Sequence, residues 1–250
     1  MEVSPPSPNW PWLGWVSQPQ SVTSRSTTTR QGGIHVSTHL TRRLLQLYVG
    51  LALYGISAAL MVRCGLGLEP WGVLNQGVAE RAGLSMGTVS IVIGALVLLL
   101  WIPIRQRPGL GTVSNVFAIG LAMDATLSLV PDMHGLPAEI SMMVAGIVLN
   151  GGATGLYIAA RFGPGPRDGL MTGLHRATGG SIRLVRTSIE VVVVATGFLL
   201  GGTVGVGTVA YALAIGPLAQ FFLRLFAVPE QPTQPVVVTA PTPERAILPG

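Results

Sequence analysis

The sequence predicts an all-α fold: a polytopic membrane helix bundle of about six spans, built as two inverted three-span repeats. Three observations carry this. The first is composition. Hydrophobic residues make up 49% of the chain and charged residues 10%, where soluble domains carry about a quarter charged. The second is self-similarity. Residues 50–120 align without a gap on residues 146–216, an offset of 96, with 20 of 71 positions identical. That period exceeds the roughly 20–50-residue unit of a solenoid and fits a duplicated half-domain of the kind found in transporters. The third is where arginine falls. Of the 15 basic residues, all Arg, 13 lie in alternate loops and tails and only Arg63 and Arg81 lie in the intervening loops. This asymmetry places both termini in the cytoplasm.

Along the chain, residues 1–43 read as a disordered cytoplasmic tail, with Pro5, Pro6, Pro8 and Pro11 followed by Ser, Thr and Arg. Trp10, Trp12 and Trp15 suit a membrane interface. No apolar core of signal-peptide length is visible there. The membrane domain covers residues 44–227, with repeat one at 44–130 and repeat two at 140–227. Spans are expected at 44–62, 86–104, 111–130, 140–160, 184–200 and 205–226, each near the ~20 residues a bilayer requires. The fifth carries Arg186 and Glu190 inside it. Residues 228–250 read as a second disordered cytoplasmic tail. Three spans per copy make the second copy start on the opposite side of the membrane, so the repeats are inverted.

Each repeat also holds a Gly/Pro break followed by a helix of about ten residues, too short to span. In copy one Gly65 and Gly67 precede Pro70; in copy two Gly163 and Gly165 precede Pro166. Glycine permits the tight turn, and proline is tolerated in a first helical turn. Matched broken segments are the best sequence pointer to a transporter site. A helix N-terminus favours an anion, and Arg167 adds a guanidinium beside it. The competing reading is a pair of interfacial helices lying flat.

Other ionisable groups within spans mark a candidate pathway. Arg186 and Glu190 are four apart and share a helix face. Asp124 has Gln220 as its repeat counterpart, so both copies keep a polar side chain. With Arg167 and Asp168 these form the candidate substrate or ion pathway. Asn115, Tyr211, Asn150 and Tyr54 are weaker candidates, with interhelical hydrogen bonding as their default role. Thr112 and Thr208 read as N-caps in close-packed Gly-Thr-Val runs.

Several classes are disfavoured. Cys64 is the sole cysteine, so neither an internal disulfide nor a Cys-rich metal site is expected. The histidines lack ligand spacing, and no P-loop or nucleophile elbow appears. No metal, no cofactor, no nucleic-acid partner and no enzymatic activity are expected.

The Gly65-x-Gly67-x-x-Pro70-Trp71 run, the run from Gly165 to Met171, Arg186-x-x-x-Glu190 and the Gly201–Thr208 glycines resemble the YitT/YczE (YyaS) family of bacterial membrane proteins. The resemblance spans roughly residues 44–227. It implies a small duplicated protein of the bacterial cytoplasmic membrane and no particular substrate. One departure is Gly72, where the family often has Asp; copy two keeps Asp168 at the matching place. Two functions follow as expectations. One is a secondary transporter or exporter of a small, anionic solute, with its site at the repeat interface. The other is a non-transporting scaffold or regulator that binds a partner membrane protein. Its Gly-rich faces also suit self-association into a homo-oligomer.

Overall fold

Apolar residues recur all round the long helices, as they must where lipid is the solvent. The computed structural model describes residues 33–133 and 135–226. It contains α1 (Gly33–Cys64), α2 (Pro70–Ala82), α3 (Met86–Leu99), α4 (Leu110–Leu129), α5 (Leu136–Ala159), α6 (Pro166–Thr178), α7 (Ile182–Leu199) and α8 (Val206–Phe226). No strand occurs among the described residues. The expected character of residues 1–32 and 227–250 lies outside them. α1 begins at Gly33, upstream of the expected membrane boundary at residue 44.

Four helices are long and apolar enough to cross a membrane: α1 from Leu40, α4, α5 and α8. A fifth crossing arises if α2 and α3, bent by 114° at their junction, count as one broken span. The six uniform spans expected are therefore not what the chain forms. α3 stops at Leu99 and gives way to turns ending at Arg105, with φ 54°. α7 carries Arg183, Arg186 and Glu190, which keep it from reading as a simple apolar span.

Local chemistry fixes the ends. Pro70 and Pro166 open α2 and α6, so both helices start two to three residues earlier than expected. Ser85 and Ser181 cap α3 and α7 by accepting from the backbone N–H of Thr88 and Leu184. Gly83 and Gly179 close α2 and α6 at φ 65° and 68°, the left-handed region that disfavours side chains. The two arginines outside the main basic pattern cap helix ends. Arg81 donates to the carbonyls of Leu199 and Leu200, and Arg63 to the carbonyl of Leu127 and the carboxylate of Asp132. The starts of α2 and α6, α3 and α7, and α4 and α8 are each 96 residues apart.

Contacts give the helix directions. Gly50 packs on Ala153–Tyr157 while Gly146 packs on Ser57 and Met61, so α1 and α5 are antiparallel. Gly55 meets Ile119 and Met123, and Arg63 reaches Leu127, so α1 and α4 are parallel. Gly151 meets Leu218 and Gly155 meets Phe222, so α5 and α8 are parallel. α3 runs back against α4, with Gly87 on Gly120 and Gly94 on Val116.

The bundle is an open ring. α8 packs on α5, α5 on α1, α1 on α4 and α4 on α3; α2 and α6 then lead to α7. α7 and α8 scarcely touch. Two core clusters flank the α1–α5 pair. One contains Met61, Ile147 and Ile215; the other contains Tyr157, Leu51 and Ile119.

Candidate functional site

The breaks after α1 and α5 each cross to the opposite half of the chain. The carbonyl of Leu66 accepts from the Gly207 N–H at 2.8 Å, at the start of α8. The carbonyl of Phe162 accepts from the Gly111 N–H at 2.9 Å, at the start of α4. Gly67 and Gly163 have φ 116° and 115° at these crossings. A Cβ on Gly67 would lie 2.6 Å from Gly205 N, and one on Gly163 would lie 2.9 Å from Thr112 Oγ1, so both crossings require glycine. Thr112 Oγ1 donates to the carbonyl of Pro164 at 2.7 Å, a role beyond the N-cap expected of it. Gly65, at φ 67°, has nothing near its missing side chain and serves the turn alone.

These crossings bring the N-termini of α2 and α6 together. The Arg167 guanidinium lies over the Trp71 ring, 4.8 Å from its centroid. The two residues occupy matching places, one after each proline. Such a contact between desolvated groups stabilises by about 2 kcal/mol. The Trp101 indole N–H donates to the Pro166 carbonyl at 3.0 Å and pins α6 to the end of α3.

Each short helix carries its own carboxylate at its N-terminus. In α6 it is Asp168, in the first turn, whose Oδ2 accepts from the Tyr157 hydroxyl at 2.8 Å. In α2 it is Glu69, the N-cap residue, only 5% exposed. A Cβ on Gly72 would stand 2.8 Å from the Glu69 carboxylate, so Gly72 leaves the room that Glu69 fills. In copy two the roles are exchanged. Gly165, the counterpart of Glu69, faces Asp168, the counterpart of Gly72. The departure at Gly72 therefore does not remove the acid from α2; Glu69 supplies it from the other side of the turn. The charge of Arg167 acts on Glu69 across the junction.

A polar chain extends from this point into the α1–α5 seam. Tyr211 donates to Asn150 Oδ1 at 3.0 Å, Asn150 Nδ2 donates to Ser57 Oγ at 2.8 Å, and Ser57 donates to the Tyr54 carbonyl at 2.6 Å. Tyr54 sets its ring edge-on to Tyr157 at 6.3 Å. One turn into α2, Asn75 buries its Oδ1 with no hydrogen-bond partner among the described residues.

The expected pathway residues divide into three places. Arg167 and Asp168 sit at the junction. Arg186 and Glu190 pair at 2.9 Å on a half-exposed face of α7, and Arg186 is within electrostatic reach of Asp168 and Tyr211. Asp124 is elsewhere. It accepts from Ser85 Oγ and from the Gly87 N–H at 2.7 Å, and so fastens the start of α3 to α4. Glu69, Trp71 and Tyr157 were not singled out from sequence. Trp71 and Arg167 share one column of the self-alignment, which was the available signal. No cluster of metal-ligating side chains occurs among the described residues.

Comparison with known proteins agrees with this architecture. A family model described as "Family of unknown function (DUF6198)" matches residues 41–224. An "Uncharacterized protein" of Haemophilus influenzae is 41% identical over 181 residues, 72% of this chain and 83% of that protein. The "Uncharacterized membrane protein YczE" of Bacillus subtilis is 30% identical over 70% of this chain and 83% of its own length. "Uncharacterized protein YyaS", also of Bacillus subtilis, is 25% identical over 71% of this chain and 90% of its own. No solved structure matches. The resemblance drawn from the Gly/Pro breaks is thereby upheld, and with four to five apolar spans the chain is a membrane protein of the DUF6198 family.

Proposed function

We propose that this protein is a secondary transporter or exporter of a small solute, with its site where α2 and α6 meet. The carrying observation is that junction: two broken helices, 96 residues apart, joined by the Trp71–Arg167 contact over two nearly buried carboxylates. Discontinuous helices whose N-termini meet inside a bundle are the usual construction of a transporter site.

The helix directions support an inverted duplication with six crossings. α1 and α4 are parallel, so the chain returns across the bilayer between them through α2 and α3. α5 and α8 are parallel to each other and opposed to α1, and α6 with α7 makes the second return. Both termini then face the cytoplasm, as the Arg distribution requires.

The nature of the solute also changes from the sequence expectation. Each short helix has its own carboxylate over the N–H groups that an anionic solute would seek. The group already held between those acids is a guanidinium on an aromatic face. An organic cation or a zwitterion suits the junction better than a simple anion.

The test is uptake into proteoliposomes from a panel of amines, guanidines, amino acids and carboxylates. Uptake of a cationic or zwitterionic member should fall at least tenfold in Glu69→Gln and Asp168→Asn, with the melting temperature within a few degrees of wild type. If no solute moves and these variants alter only stability, the scaffold reading replaces this one.

A further inference from the structure

We propose that the cleft between α7 and α8 is a lateral binding site for the head group of an anionic phospholipid. The cleft is the one open joint in the ring among the described helices. Its counterpart, the α3–α4 joint, shows what sealing takes. There a Cβ on Gly87 would lie 2.1 Å from the Gly120 carbonyl oxygen, and Gly94 lies against Val116. Asp124 adds a latch to Ser85 and Gly87.

The second copy has replaced these parts one by one. Arg183 stands at the place of Gly87, Arg186 at that of Ser90 and Glu190 at that of Gly94. On α8, Gln220 stands in place of Asp124. Gly216 keeps the glycine of Gly120, yet nothing lies within 4 Å of its missing side chain. Arg183 and Arg186 are exposed where Gly87 is buried and Ser90 half-buried. An arginine cannot pass where a single Cβ would collide with backbone, so α7 cannot close on α8 as α3 closes on α4.

What enters the cleft follows from its chemistry. Arg183, Arg186 and Arg224 outnumber Glu190 around it, so its charge favours an anion. Along α8 an open cavity of about 510 Å³ is lined by Pro217, Gln220, Phe221, Arg224 and Leu225. It therefore offers apolar wall and cation side by side. The start of α7 and the end of α8 lie on the Arg-rich, cytoplasmic side. Basic pockets between helices on that side suit anionic lipid head groups, with acyl chains against Phe221 and Leu225. A free anion would use the charge and leave the apolar wall unmatched.

This site is separate from the α2–α6 junction, and its test requires no transport. The purified full chain in detergent is titrated with dioleoylphosphatidylglycerol, dioleoylphosphatidylcholine or inorganic phosphate. Melting temperature and native mass spectrometry are recorded. Phosphatidylglycerol should raise the melting temperature and remain bound as one lipid, while phosphatidylcholine and phosphate do neither. Gly216→Phe fills open space and should leave lipid-free melting near wild type, yet raise the half-saturating lipid concentration at least tenfold. Arg224→Gln should do the same by removing charge alone. Equal stabilisation by both lipids, an equal effect of phosphate, or an unchanged response in both variants would each overturn the proposal.

Discussion

At the residue scale, the junction depends on an exchange between glycine and carboxylate. Copy one places the acid at the N-cap and glycine in the first turn; copy two reverses the two. Both give one carboxylate per helix N-terminus, where a negative charge gains about 0.3–1 kcal/mol from the helix dipole. The Trp101 ring shows how tightly α6 is held. A Cβ on Gly169 would lie 2.0 Å from Trp101 Cζ2, and the ring is tied by its N–H to Pro166. Gly169→Ala gains about 1 kcal/mol of helix propensity, but overpacking costs about 1–3 kcal/mol and a tethered ring cannot move aside. The variant should melt below wild type in a thermal scan, whereas Gly180→Ala, with only loose neighbours, should not. Arg167 and Asp168 were legible in the sequence because charge between prolines and an apolar run is conspicuous. Glu69 was not, because an acid before a proline reads as an ordinary turn residue. Only the fold shows it 5% exposed against Gly72.

At the element scale, the short helices were visible from their Gly/Pro punctuation, and their observed ends lie within a few residues of expectation. Span number was harder. Hydropathy averages over a window, so it runs α3 through Trp101 and Ile102 although the helix stops at Leu99. It also cannot see that the chain turns by 114° between α2 and α3. Asp124 was read as a pathway residue because an acid within a span is expensive. The structure gives it a hydrogen-bonding role at the start of α3. Asp124→Ala should lower stability by about 1 kcal/mol, the usual effect of losing a cap. Hydrogen exchange should rise at the amides of Gly87 and Thr88. Asp124→Asn keeps an acceptor and should lose less; equal losses in the two variants would show that the carboxylate's geometry at Gly87 is not what holds α3.

At the scale of the whole molecule, one duplicated plan is used in two ways. Equal spacing of helix starts, reciprocal crossings at Gly67 and Gly163, and paired core clusters keep the halves alike. The replacements along α7 and at Gln220 make them differ, and the ring opens where they do. The duplication was legible because glycines at close crossings allow little substitution. The open joint was not, because it depends on which helices fail to meet. The account's central claim is that the two halves enter from opposite faces to build one junction. Leu84 and Gly180 occupy matching turns, after α2 and after α6. Single cysteines at these positions, in a Cys64→Ser background, can be labelled in right-side-out vesicles with a membrane-impermeant thiol reagent. Leu84→Cys should label from outside and Gly180→Cys only after the vesicles are opened. Labelling of both from the same side would contradict the inverted arrangement, and with it the junction as a shared site.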